Sequence, residues 1–251
     1  MTAAAGPERV FLHVFSTFRV GGPQVRFAAM ANHWGSRYRH LIAAMDNAHD
    51  CATRLAGDVN YQLVPVKHQP RRPLASLWRF RRALGRLAPD TLITYNWGAT
   101  EWALANRGRR CRHIHIEDGF GPEEAHRQLR RRVLFRRLAL AGAEHVVLPS
   151  RVLERIARDV WRLRADQVLY VPNGVDCAHL AQAPDADLVT RFGLDQAKIV
   201  IGTIAGLRAE KNLGRLIRAF AALDVPGARL VIAGDGSERP GLEQLARSLG
   251  L

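Results

Sequence analysis

The stretch IVIGTIAGLRAEKN, from Ile199 to Asn212, decides the fold class of this chain. It opens with an apolar, β-branched run, which predicts a buried strand of a parallel sheet. The apolar run ends before Gly206. Two cations, Arg208 and Lys211, follow it and precede a helical pattern at 213–223. A strand end, a tight turn and a helix start bring backbone N–H groups and the positive end of a helix together. This arrangement suits a diphosphate, and an ordinary turn with solvated charges explains the pattern equally well.

Strands alternate with helices along most of the remaining sequence. Short apolar runs begin near residues 10, 40, 61, 92, 113 and 144, and amphipathic helical patterns follow most of them. This order predicts an α/β fold with a doubly wound parallel sheet and helices on both of its faces. A second strand–helix run follows, and the small, acidic stretch 181–187 predicts a linker close to the boundary. We expect two Rossmann-like domains, 1–165 and 166–251, of which the second, with only two strands, is incomplete.

The composition restricts the class of protein. The chain has 251 residues, of which 47% are hydrophobic, so it can bury a core. It contains no apolar stretch of the length that spans a bilayer, and its first residues lack the pattern of a secretory signal. Its three cysteines are too few for a disulfide framework. We therefore expect a cytoplasmic protein.

The formal net charge of +14 predicts an anionic partner. Most of the cations are arginines, and two arginine-rich helical patterns, at 71–86 and 127–138, carry apolar residues as well. They contain no recognisable nucleic-acid module, so we rank nucleic acid last and expect none as a partner. An anionic membrane surface, at the inner face of the membrane, suits these helices, while ordinary surface helices are the simpler interpretation.

A glycine pair, Gly21 and Gly22, follows the first predicted strand and precedes a helix. Ligands of open α/β sheets bind at this edge, and glycine lets the backbone approach a phosphate closely. The G-x-G-x-x-G fingerprint of dinucleotide-binding proteins and the P-loop pattern are both absent. Hydride transfer and P-loop hydrolysis are therefore disfavoured.

Four segments in a fixed order resemble the retaining glycosyltransferases of family 4. They are the glycine pair, PNGVD at 172–176, GLRAEKN at 206–212 and IAGDG at 232–236. The resemblance implies the GT-B fold of two facing Rossmann-like domains. It also implies transfer of a sugar, with retention, from a nucleotide-sugar donor to a saccharide or lipid-linked acceptor, in the synthesis of cell-surface polysaccharide or glycolipid. No metal or other cofactor is expected, because cations can stabilise the diphosphate leaving group.

The same resemblance implies the donor site. Arg208 and Lys211 would hold the donor diphosphate, and the glycine pair would approach it from the first domain. The donor-binding residues that we predict are Gly21, Gly22, Asn173, Gly206, Arg208 and Lys211.

The predicted acceptor side lies at two strand ends of the first domain. Where family members commonly carry a histidine, this chain has Glu117, followed by Asp118. We predict that these two catalytic carboxylates position the acceptor hydroxyl, and the alternative is a strand-end loop with solvated carboxylates. Asn96 and Trp97 end the preceding strand, where an amide and an aromatic ring suit a sugar, although Trp97 fits a core position equally well.

A metal site on the fifth strand is disfavoured. Cys111, His113, His115 and Glu117 alternate and share one face of the strand. Successive ligands on one face lie about 7 Å apart, so the four cannot converge on one ion. A half-buried strand explains the alternation better.

The E-x7-E segment of the family, whose glutamates face the donor sugar and ribose, does not occur in this sequence. We therefore expect the 251 residues alone to bind a donor poorly and to turn over little. The alternative function is that of a truncated relative acting as a membrane- or glycan-binding module.

Overall fold

The computed structural model describes residues 8–67, 73–108, 110–124, 127–223 and 225–251. The chain divides into two compact units, the first ending at Gly174 and the second beginning at Val175. This boundary lies later than the predicted one at 165, because the strand Val168–Tyr170 pairs in parallel with the strand before it and thereby belongs to the first unit.

The first unit is built on a seven-stranded, wholly parallel sheet with the order β3-β2-β1-β4-β5-β6-β7. The strand order reverses between β1 and β4, so the ligand-binding edge of this sheet is expected where these two strands end. The strands are β1 Val10–Phe15, β2 Arg39–Ala44, β3 Tyr61–Val64, β4 Thr91–Tyr95, β5 Arg112–Ile116, β6 His145–Leu148 and β7 Val168–Tyr170. The helices are α1 Gly22–Trp34, α2 Pro73–Leu87, α3 Thr100–Ala105, α4 Arg130–Leu140 and α5 Arg151–Asp159.

Both faces of the sheet are buried, as expected of parallel strands covered by crossover helices. One face packs Leu12 and Leu92 against Phe80 of α2 and Trp102 of α3. The other face packs Phe15, Ile42 and Tyr95 of the sheet, with Phe18 of the loop after β1, against Phe27 and Ala31 of α1. The predicted doubly wound α/β fold is confirmed for this unit.

Helix α4 begins at Arg130, three residues later than the arginine-rich pattern at 127–138 predicted. A short 3₁₀ turn at Pro122–Glu124 precedes it. The carboxylate of Glu124 accepts a hydrogen bond of 3.0 Å from the backbone N–H of Leu129, which satisfies a donor beside the start of the helix. Glu123 and Glu124 therefore precede the helix in the 3₁₀ turn and are not part of it.

The second unit contains a two-stranded parallel sheet, in which β8 Ile199–Ile204 pairs with β9 Ala228–Ala233. The prediction that the first of these strands is buried is wrong, because Ile204 is 91% exposed and Ile199 47% exposed. Within the described residues β8 has β9 as its single sheet partner, and two strands cover little of each other's faces. The helices are α6 Cys177–Leu180, α7 Ala186–Arg191, α8 Leu213–Ala221 and α9 Arg239–Ser248.

The predicted linker at 181–187 lies in this second unit, and its last residues already belong to α7. Asp185 caps that helix by accepting hydrogen bonds from the backbone N–H groups of Asp187 and Leu188. Throughout the part of the chain that the structure describes, each helix is too short or too polar to cross a lipid bilayer.

Candidate active site

The predicted glycine pair lies on the connection that leaves the reversal point of the first sheet, between β1 and α1 and at the start of the helix. Gly21 is extended (φ −165°) and precedes α1 without a side-chain cap, and Pro23 stands in the first turn. A Cβ added to Gly22 would meet nothing within 4 Å, so open space adjoins the backbone there. An uncapped helix start beside open space is a setting in which backbone N–H groups can meet an anion.

Asn96 ends the neighbouring strand β4 in a strained conformation. Its φ of 55° and ψ of −176° lie in a region that non-glycine residues rarely occupy. Its backbone N–H donates to the carbonyl of Ile116, and its side-chain Oδ1 accepts from the backbone N–H of Asp118 at 2.7 Å. In this conformation Asn96 joins the ends of β4 and β5 through both hydrogen bonds. Two predicted site residues, Asn96 and Asp118, therefore lie side by side.

Arg26 on α1 connects this edge to the last residues of the unit. It donates to both carboxylate oxygens of Asp118, through Nη1 at 2.7 Å and Nη2 at 3.0 Å. It also donates to Oδ1 of Asn173. Bidentate pairing of this kind fixes geometry as well as charge. Three predicted residues, Asn96, Asp118 and Asn173, are thus linked in one network.

The local sequence around Arg26 does not mark it as a site residue. The signal that was present is an arginine in the first turns of the helix that follows the glycine pair. Its partners lie 92 and 147 residues further along the chain, and only the folded sheet brings them together.

Glu117, the other predicted catalytic carboxylate, is 0% exposed, so its description as a solvated strand-end carboxylate is wrong. Its Oε2 lies 3.5 Å from His115 Nε2 and 3.6 Å from Arg136 Nε. Its Oε1 is buried without a hydrogen-bond partner among the described residues. Of the two carboxylates, Asp118 is the one that a ligand can reach.

Trp97 is half-buried, and two guanidinium groups lie close to its ring. Arg132 and Arg136 are both 4.9 Å from the centre of its ring, and Phe135 packs edge-on at 5.5 Å. The side chain therefore belongs to a cation–π assembly at the rim of the site and not to one of the main apolar cores. These arginines come from the helix whose charges the sequence suggested for a membrane.

The histidines of β5 form part of the core. His113 and His115 both hydrogen-bond with Oγ1 of Thr94 at 2.8 Å. Burial, followed by the charge of His115, lowers the pKa of His113 to about 3. In the described residues there is no group of three or more His, Cys, Asp or Glu side chains that could hold a metal ion. The alternation on this strand reflects a buried hydrogen-bond network.

In the second unit the predicted donor residues lie in the turn between β8 and α8. Arg208 is 63% exposed and pairs with Glu210 at 3.2 Å. Lys211 ends a short 3₁₀ turn, and Asn212 precedes α8 in the left-handed conformation without a side-chain cap. Gly206 lies beside the guanidinium of Arg208, whose Nε is 3.4 Å from the position of an added Cβ. Two cations and an uncapped helix start again share one turn.

A second loop, after β9, supports this turn. The backbone N–H of Leu207 donates to the carbonyl of Asp235 at 2.9 Å. Gly234 has a φ of +153°, and a Cβ there would overlap the carbonyl of Ala205. Gly236, with a φ of +159°, meets the carbonyl of Leu207 in the same way. The glycines of the GDG segment are required because two backbones meet without space for a side chain.

Comparison with known proteins agrees with this architecture. The model of the glycosyl transferase 4-like domain matches residues 21–174, and that of the glycosyl transferases group 1 matches residues 187–251. No curated protein sequence matches the chain.

Several solved structures share the fold. The Anabaena protein HepE in complex with UDP and glucose has a TM-score of 0.78 at 18% identity, over 97% of this chain and 67% of its own. HepE in complex with UDP has a TM-score of 0.74 at 18% identity, over 96% and 66%. Sucrose-phosphate synthase from Thermosynechococcus elongatus has a TM-score of 0.68 at 16% identity, over 97% and 68%. The chain thus spans about two thirds of the length of these proteins. Because the family model covers more than half of it, the chain belongs to the family 4-like glycosyltransferases and has a fold of the GT-B type.

Proposed function

We propose that this protein transfers a hexose, with retention, from a nucleotide-sugar donor to a saccharide or lipid-linked acceptor, in the synthesis of cell-surface polysaccharide or glycolipid. The observation that carries the proposal is the network in which Arg26 joins Asp118 and Asn173, and Asn96 binds the backbone of Asp118, at the carboxyl ends of the strands inside the matched domain. The structures of HepE with UDP and with UDP-glucose support a UDP-sugar as the donor to test first.

The proposed donor chemistry depends on the turn after β8. When the bond between the sugar and the diphosphate breaks, its electron pair stays on the diphosphate oxygen. Arg208 and Lys211 stabilise this growing charge, aided by the N–H groups at the start of α8, so that no metal is needed. Gly206 lets the Arg208 guanidinium lie against the backbone of the turn, and the uncapped start of α1 at Gly21 and Gly22 offers another anion-binding position.

The proposed acceptor chemistry depends on the edge of the first sheet. Asp118 accepts a hydrogen bond from the attacking hydroxyl and orients it towards the anomeric carbon, using lone pairs that Arg26 leaves available. As the new bond between the anomeric carbon and the acceptor oxygen forms, the hydroxyl proton passes to the diphosphate oxygen that leaves the sugar. Asn96 and Trp97 border the acceptor sugar. Because the carboxylate of Glu117 is enclosed by protein, it does not contact the acceptor itself and acts by positioning the neighbouring Asp118.

Calorimetric titration of UDP-glucose into the full-length gene product, for affinity, and kinetics of sugar transfer, for kcat/KM, test the donor site. We expect Arg208→Ala and Lys211→Ala each to lower kcat/KM for the donor about 100-fold or more, because each removes a charge from the leaving-group site. Arg215→Ala, an exposed cation on α8, is the matched control and leaves both affinity and rate unchanged. Sub-micromolar binding by the 251 residues alone would contradict the expectation that they bind a donor poorly.

A second candidate function, membrane or glycan binding, is favoured by exposed apolar side chains on the arginine-rich helices. Leu74 is 82% and Trp78 60% exposed on α2, and Leu134 is 57% exposed on α4. Arginine stems beside such side chains suit an anionic lipid surface. On this proposal the protein works at the cytoplasmic face of the membrane. Co-sedimentation with anionic vesicles should fall with added salt and in Trp78→Ser, and equal binding to neutral vesicles would argue against it.

A further inference from the structure

A fully buried guanidinium lies beneath the proposed acceptor side. Arg136 on α4 is 0% exposed, and its two terminal nitrogens contact the carboxylate of Glu124 at 3.2 and 2.9 Å. Its Nε faces Oε2 of Glu117 at 3.6 Å, which is too long for a hydrogen bond. Arg136, Glu117 and Glu124 thus share a space closed to solvent, and Glu124 is also paired at 3.2 Å with Arg132, whose side chain is 15% exposed.

Aromatic rings enclose the same guanidinium. Arg136 lies 4.9 Å from the ring centre of Trp97, and 5.2 Å from those of Phe120 and Trp161. Phe120 belongs to the loop that carries Asp118, and Trp97 directly follows Asn96. Arg136 therefore contacts both segments that form the proposed acceptor side.

This arrangement costs stability. Burying ions removes their hydration, and an apolar set of similar volume is often as stable or more stable. In addition, Nε of Arg136 and Oε1 of Glu117 are buried without hydrogen-bond partners among the described residues. A planar cation that can stack on rings while it binds a carboxylate does, however, hold several elements in one fixed geometry.

We propose that Arg136 is a positioning residue for the acceptor side of the site. It holds the Trp97 ring at the rim and keeps Glu117 and the following loop in place, so that Asp118 is presented in one orientation. This inference rests on the proposed function for its catalytic consequence, while the positioning of the ring can be measured without it.

Fluorine NMR of protein labelled with 5-fluorotryptophan tests the positioning directly. We expect the Trp97 and Trp161 resonances, assigned with Trp97→Phe and Trp161→Phe, to shift and broaden in Arg136→Met, because the rings lose their shared cation. Arg136→Lys should show a smaller change, and Glu124→Gln should show the same change in part. Arg131→Met, exposed on the same helix, is the control, and the Trp34 and Trp78 resonances report whether the remaining surface is intact. Unmoved, sharp Trp97 and Trp161 resonances in a folded variant would overturn the proposal, and Arg136→Lys serves if Arg136→Met does not fold.

Kinetics on the full-length gene product test the consequence. Arg136→Lys should lower kcat/KM for the acceptor about tenfold and Arg136→Met about 100-fold, with KM for the donor unchanged, because misplacement affects only the acceptor. A loss of folded protein alone would lower kcat without moving the acceptor KM, and equal effects on donor and acceptor would contradict a positioning role. If the wild-type protein transfers no sugar, the proposed function fails, and the NMR result still decides whether Arg136 fixes Trp97.

Discussion

Two turns of this chain each lead into a helix whose start has no side-chain cap and lies near an arginine. They differ in which residues hold that arginine. The turn after β1 leads into α1, whose Arg26 is paired with Asp118 from a distant strand end and with Asn173. The turn after β8 leads into α8, and its Arg208 is paired only with its near neighbour Glu210 in the described structure. Long-range pairs fix the first set before any ligand arrives. The second set is exposed and held locally, so a bound anion is expected to order it.

The largest effect is expected from disrupting the loop after β9, which packs against the turn after β8. Gly234→Ala places a Cβ 3.0 Å from the carbonyl carbon of Ala205, at a φ of +153°, so the two loops must separate. We expect a loss of about 2–4 kcal/mol in the stability of the second unit, with the first unit unaffected. Hydrogen exchange of the β8 and β9 amides measures it. Gly241→Ala on α9, where an added Cβ meets nothing within 4 Å, should leave exchange unchanged or slower.

The next effect separates the chemical roles of the two turns. Asp118→Asn removes the charge that Arg26 binds, so the acceptor is held less well and kcat with acceptor should fall about 100-fold. The donor affinity measured by calorimetry should stay the same. A parallel loss of donor binding would show that both turns serve one substrate and would end the division proposed above.

Acid should destabilise the two units unequally. Burial lowers the pKa of His13, His40 and His113 below the usual 6.5, with the charges of His40 and His115 adding to the effect at His13 and His113. Because these folded-state values are lowered, the unfolded chain takes up protons first as the pH falls. The stabilisation is therefore complete above pH 6.5 and is lost below it, with a slope of about 1.4 kcal/mol per pH unit for each histidine, continuing to about pH 3 for His113.

All three of these histidines lie in the first unit. Unfolding followed at several pH values should show the first unit weakening between pH 6.5 and 4 in a way that His113→Gln reduces. Equal weakening of both units would contradict this assignment.

The smallest effect concerns the glycine pair. Gly22→Ala meets open space, so the stability of the first unit should change by less than about 0.5 kcal/mol. If a phosphate contacts this backbone, donor affinity should nevertheless fall about tenfold, because a methyl group would stand in its way. Gly57→Ala, also in open space and remote in sequence, is the control. Unchanged donor affinity in Gly22→Ala would restrict the anion site to the turn after β8.

From the sequence one can predict which strand ends and turns form the site, but not which side chains contact each other there. The β1, β4 and β5 ends, the glycine pair and the Arg208–Lys211 turn all follow from local patterns, because strand and helix periodicities are local properties. Arg26, Arg136 and Glu124 were not singled out, since a charged residue on a helix has the same local signal whether it is solvated or buried. The burial of Glu117 likewise has no local signal, because Arg136, whose Nε lies 3.6 Å from its carboxylate, comes from a helix later in the chain.

The sequence by itself determined the α/β class, the parallel sheet of the first unit and the resemblance to the family 4 glycosyltransferases, because these depend on the periodicity and order of short segments. Only the tertiary structure decided which carboxylate is accessible, which arginine binds it and which arginine is buried. Those outcomes depend on contacts between residues up to 147 positions apart. The energy of a charge is set by the solvent, ions and rings around it, and these are assembled only when the chain folds.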